Sequence, residues 1–125
     1  MNSLGWILVV LGLIEGAWLV FDGSRALTVG DYVTPASGQY AGQLGPWSKL
    51  VSAIGIEPRS TLMKFVHIGL GAAWLVTTVA FVLRMPWAWS AMLTCAILSL
   101  WYLPFGTLFG VIQIVLLLMP AVRGR

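Results

Sequence analysis

At 125 residues, 59% of them hydrophobic and 9% charged, the chain has too few charges to solvate the surface of a water-soluble domain, where about a quarter of residues are charged. Its length suits one domain, 1–125. The net charge of +3 comes from scattered basic residues with no basic stripe, which argues against nucleic acid as a partner. The lone Cys95 rules out an intramolecular disulfide or a cysteine metal cluster.

Four apolar segments follow one another. The first, 2–21, is long enough to cross a hydrocarbon core about 30 Å thick, which takes roughly 20 helical residues. Asp22-Gly23 is expected to end it. The segment has no basic leader, carries Glu15 inside its apolar run and precedes no A-x-A site, so it reads as a retained span, not a signal peptide. Gly12 and Gly16 form a G-x-x-x-G in it, a spacing that lets helix backbones approach closely in lipid.

The stretch 22–61 is the polar exception and carries six of the eleven formal charges: Asp22, Arg25, Asp31, Lys49, Glu57 and Arg59. Gly30-Asp31-Tyr32 and Thr34-Pro35 read as turns, and 37–45 as irregular. Trp47, Leu50, Val51 and Ile54 recur at i, i+3, i+4, i+7 between Pro46 and Gly55, which predicts a short amphipathic helix lying in the membrane interface.

The second span is 62–83, with Gly69 and Ala73 as a second small-x-x-x-small pair. The third is 86–103 and the fourth 105–122, joined at Pro104-Phe105-Gly106 as an antiparallel hairpin. Trp6, Trp87 and Trp89 fall near one membrane boundary, and Trp18, Trp101 and Tyr102 near the other, as interfacial aromatic belts do. The fold expected is therefore an all-α integral membrane protein, a four-helix transmembrane bundle with a long structured loop. The spans alternate, so both termini and Arg84 share one side. The short tail with Arg123 and Arg125 places that side in the cytoplasm and loop 22–61 outside.

Counting depth from the loop side at 1.5 Å per residue brings Glu15, His67, Gln113 and Thr94 (beside Cys95) to one level, roughly 8–13 Å inside. Charged groups at such depth face a bundle interior and are paired, and Glu15 with His67 is the natural pair. The competing reading is a pair that only fixes helix register. No Ser–His–Asp spacing, H-E-x-x-H, C-x-x-C or phosphate-binding glycine loop is present, so no enzyme activity, metal or cofactor is expected. The expected function is a non-catalytic accessory or scaffold subunit of a larger membrane complex. The alternatives are a proton-coupled or cation transporter acting as a homodimer through Glu15, and a lipid- or small-lipophile-binding module. The partners expected are the lipid bilayer and other membrane subunits or a second copy.

Leu13-Ile14-Glu15-Gly16 in the first of four short spans, with a near-neutral charge bias, resembles the small multidrug resistance transporters. That resemblance implies a dual-topology dimer in which Glu15 exchanges protons for cationic substrate. The forty residues between the first two spans depart from that family's short loops. The run Leu100-Trp101-Tyr102-Leu103-Pro104-Phe105-Gly106-Thr107 resembles a turn of uncharacterised small bacterial four-span proteins, which implies no activity. The membrane expected is the bacterial inner membrane.

Overall fold

The computed structural model describes residues 2–123, so the topological reading of Arg125 lies outside the described residues. Among those residues there are six helices and no strand: α1 (Ser3–Val29), α2 (Trp47–Ala53), α3 (Thr61–Val82), α4 (Ala88–Leu98), α5 (Phe105–Leu118) and α6 (Pro120–Arg123). Four of them close a ring in which α1 packs on α3, α3 on α4, α4 on α5 and α5 on α1. α1 and α3 are long and apolar enough to cross a membrane; α4 and α5 are apolar but shorter.

The helix ends differ from the expected spans, each for a local reason. α1 does not stop at Asp22-Gly23 but runs two more turns to Gly30, which caps it in the left-handed region at φ 102°. Asp22 is buried, and its Oδ1 accepts the Val33 amide at 2.6 Å. A Cβ at Gly23 would come within 2.9 Å of His67 and Ile68, so this glycine is a packing position, not an exit. α4 covers only Ala88–Leu98 of the expected 86–103. Beyond it the amides of Ser99, Leu100 and Tyr102 each bond three residues back, coiling the chain too tightly for an α-helix. α5 ends at Leu118, short of Val122, because Pro120 lacks an amide and drives Met119 to extended geometry at ψ 139°.

The α1–α3 seam is made by missing side chains. A Cβ at Gly71 would lie 2.7 Å from the Gly16 carbonyl and 2.7 Å from the Val20 amide, and a Cβ at Gly12 would strike the Thr78 hydroxyl. Gly12 and Gly16 thus face α3. Gly69, expected to pack, is exposed and has nothing within 4 Å of its would-be Cβ. Ala73 is half-buried against the core. The rotation of α3 about its own axis puts Gly71, not Gly69, at the crossing.

The polar segment lies over one end of the ring. Arg25 Nη1 donates to the carbonyls of Asp31 and Tyr32 (2.7 and 2.8 Å), and the Tyr32 hydroxyl donates to the Pro58 carbonyl at 3.0 Å. Arg59 pairs with Asp31 at 3.0 Å and also donates to the Gly42 carbonyl. The stripe predicted for α2 is divided: Trp47 and Val51 are buried, whereas Leu50 and Ile54 are 42% and 69% exposed. Two residues thus anchor the helix and two face away from the ring. At the opposite end the Asn2 side chain accepts the Gly5 amide (2.9 Å) and donates to the Ala121 carbonyl (3.1 Å), holding the two ends of the described chain together. Trp89 donates to the Leu117 carbonyl there, beneath the Arg123 guanidinium.

Candidate functional site

Glu15 and His67, the two residues most naturally paired by depth, do not meet. Gly23 stands opposite His67 across the seam, and Glu15 is eight residues, about 12 Å of helix, further along α1. The reason is that α1 continues eight residues past Phe21, to Val29. Measured from the true end of α1, Glu15 lies fourteen residues in and His67 only six from the start of α3. Each therefore has its own surroundings.

Glu15 is 4% exposed. With the Gln113 amide oriented to satisfy both of its ends, its nitrogen donates to Glu15 Oε2 at 3.2 Å and to the Phe109 carbonyl at 3.0 Å. Ser99 also sits beside the carboxyl. Its hydroxyl accepts the Trp74 indole N–H and donates to the Cys95 carbonyl, both at 2.8 Å. Glu15 Oε1 is left with no hydrogen-bond partner. A buried carboxyl oxygen without a donor is costly, all the more where no water can reach it.

Thr94 takes no part in this layer. It is exposed, and its hydroxyl bonds back to the Ser90 carbonyl of its own helix at 2.9 Å. Its neighbour Cys95 faces inward beside Thr77, 3.9 Å away. Ser99 supplies the hydroxyl that Thr94 was expected to bring. The signal was present, since Cys95 and Ser99 are one turn apart, but reading it required knowing which face of α4 turns inward.

His67 is fully buried in an aromatic box. Its ring centroid lies 4.7 Å from Tyr32, 4.7 Å from Trp47, 5.4 Å from Tyr102 and 5.6 Å from Trp101. Nδ1 faces the Met63 carbonyl at 2.8 Å and so carries the hydrogen, while Nε2 has no partner. Trp101 and Tyr102, expected in an interfacial belt, are two of these walls. Tyr32 and Trp47 come from the polar segment, so the box is where that segment seats on the ring. Burial, then the nearby Asp22 and Asp31 carboxylates, push the Tyr32 phenol above its usual range and keep it a donor to Pro58.

Two cavities adjoin these groups. The larger, about 330 Å³, lies between α1 and α5 and is lined by Ile14, Glu15, Trp18, Tyr102, Phe105 and Phe109 among others. Ile14 and Phe105 are 51% and 62% exposed, so the crevice opens on the apolar outer surface. The smaller, about 120 Å³, lies under the polar segment and includes Asp22, Tyr32, Trp47 and Tyr102 in its walls. Among the described residues no three His, Cys, Asp or Glu side chains come together as metal ligands would.

No family model matches the chain, no curated protein matches it, and no solved structure matches its fold.

Proposed function

We propose that the chain is a non-catalytic integral membrane protein that binds a lipid or other small lipophile in the crevice between α1 and α5, with all four apolar helices in the bilayer. Support for the bilayer comes from the outer surface. Less than half of the apolar window of α1 or of α3 is buried within the chain, and Trp6, Val10, Phe65, Val76, Leu108 and Val115 all stand more than half exposed. In water this would be an apolar patch far beyond the few hundred Å² that monomers tolerate. The observation that carries the binding reading is the crevice itself. It is apolar, aromatic-walled and open sideways, and Glu15, whose buried Oε1 lacks a donor, is one of its lining residues. A concave, mostly apolar and aromatic-lined cavity is the usual form of a small-ligand site.

Photolabelling in nanodiscs with a diazirine-bearing long-chain alcohol tests this reading. Labels should concentrate on peptides containing residues 14–18 and 105–109. Even labelling around the outer surface would overturn it.

A second reading, an accessory subunit of a larger membrane complex, is favoured by the lengths of α4 and α5. At 11 and 14 residues they extend about 16 and 21 Å, short of a 30 Å core, while Ile97, Leu98, Leu108 and Val111 face outward. Helices of a partner packed there would shield the exposed turns from lipid. Purification in a gentle detergent should then yield a defined second protein, and a stable lone chain would count against it. In either reading the termini lie in the cytoplasm of a bacterial cell and the polar segment outside. A cysteine placed at Ser37 should therefore react with a membrane-impermeant maleimide on intact cells.

A further inference from the structure

Asp22 and Glu15 lie seven residues apart on α1, so they share one face two turns, about 10 Å, from each other. Both are buried, at 3% and 4% exposure. Neither has a cation within 4.0 Å: the one ion pair among the described residues joins Arg59 and Asp31. Arg25, the basic residue acting on Asp22 through space, has its Nη1 committed to the Asp31 and Tyr32 carbonyls. Asp22 itself accepts a single hydrogen bond, from the Val33 amide, and Glu15 Oε1 accepts none. The larger cavity reaches Glu15 and the smaller reaches Asp22, and both share Trp18, Tyr102 and Phe105 as walls. Between the two acids on α1 stands Trp18, whose indole N–H donates to the Tyr102 hydroxyl at 2.9 Å.

We propose that the two cavities are halves of one site, divided by the Trp18–Tyr102 pair, and that its ligand is a single-chain amphiphile with a primary ammonium head. The head lies at Asp22 beneath the polar segment; the chain passes Trp18 and Tyr102 and leaves through the crevice beside Glu15. Two buried carboxyl groups on one face, neither of them in an ion pair, can balance a positive charge, and aromatic walls accept an ammonium on their ring faces. The apolar crevice, open to the lipid side, accepts an alkyl chain. A phosphate attached next to the ammonium would bring a negative charge toward both carboxyls, so an aminophospholipid is disfavoured. The Trp18–Tyr102 hydrogen bond is the contact that passage of the chain must loosen.

This inference rests on the crevice being a lipophile site, and the experiment separates the two claims. The full chain in phosphatidylcholine nanodiscs is titrated with dodecylamine and with dodecanol, and binding is read from tryptophan emission, since Trp18 and Trp47 line the cavities. Dodecylamine should bind about tenfold more tightly than dodecanol, the ratio one charge-assisted contact supports. Asp22→Asn keeps an acceptor for the Val33 amide and should bring the amine down to the affinity of the alcohol, with alcohol binding unchanged. Glu15→Gln is a second variant for the case in which Asp22→Asn unfolds, and should also lower the preference for amine. Equal affinity for amine and alcohol overturns the ammonium site but leaves the crevice. A preference for amine that survives both substitutions overturns it as well, as does displacement of the amine by phosphatidylethanolamine in the disc. Failure of both probes to bind overturns the crevice reading and this one together.

Discussion

The two sides of α1 contrast. Toward α3 the helix presents Gly12, Gly16 and Gly23, and at Gly16 and Gly71 the two backbones come so close that no Cβ fits between them. Toward α5 it presents Ile14, Glu15 and Trp18, and the helices stand apart around a crevice of about 330 Å³. In the bilayer proposed for these helices there is no hydrophobic gain from pushing them together, so association there depends on close packing and on interhelical hydrogen bonds. The first seam uses the former. The second is bridged by Gln113 on Glu15 and leaves a crevice beside that contact. One helix therefore serves as a rigid support on one face and as the wall of a cavity on the other.

That contrast can be broken at its tight side first. Gly71→Ala puts a methyl against the Gly16 carbonyl and the Val20 amide, both backbone atoms that cannot turn aside. It should cost about 3 kcal/mol, measured as a lower midpoint in an SDS-unfolding titration followed by circular dichroism. Trp74→Phe removes the N–H that Ser99 accepts in the layer joining α3 to α4 while leaving the ring volume largely filled. A loss of about 1–2 kcal/mol in the same assay is expected, the range for one buried hydrogen bond; no loss would mean the polar layer adds nothing to the ring. Gly69→Ala sharpens the contrast within α3, because it lies two residues from Gly71 yet meets open space. It should be neutral or stabilise by up to about 1 kcal/mol through helix propensity, and a large loss would show that α3 is rotated otherwise than described.

The smallest effect belongs to the loop. Burial by itself raises the Asp31 carboxyl, but hydrogen bonds from Arg59 and from the Tyr32 amide, with the Arg59 and Lys64 charges, outweigh it and hold Asp31 below its ordinary 3.8. A group lowered on folding contributes its stability in full above the unfolded value near 3.8, and loses it as pH falls through the lower folded value. The pair is exposed on both sides, so it is worth at most about 1 kcal/mol. Hydrogen exchange at residues 31–42 should rise slightly in Asp31→Asn at neutral pH, and the difference from wild type should vanish in strong acid. A difference that grows in acid would reverse the assignment.

Much of this chain was legible as a string. The all-helical character, the apolar segments and the breaks near Arg84 and Pro104 follow from local composition, because helix period and the geometry of Gly and Pro act over a few residues. Glu15 and Gln113, expected at one level, do meet, although α1 runs further past Glu15 than its sequence suggested. What failed depended on where a helix ended or how it was turned. Asp22-Gly23 looks like an exit in isolation and becomes a buried acid and a packing glycine only when α3 lies alongside. The choices of Gly71 over Gly69 and of Ser99 over Thr94 rest on rotation about a helix axis. When a helix is apolar all round, as α3 and α4 are, its sequence has no polar face to mark that rotation, and only contact with neighbouring helices decides it. The same contacts separated His67 from Glu15, enclosed His67 in aromatic rings and put Glu15 in the wall of a cavity.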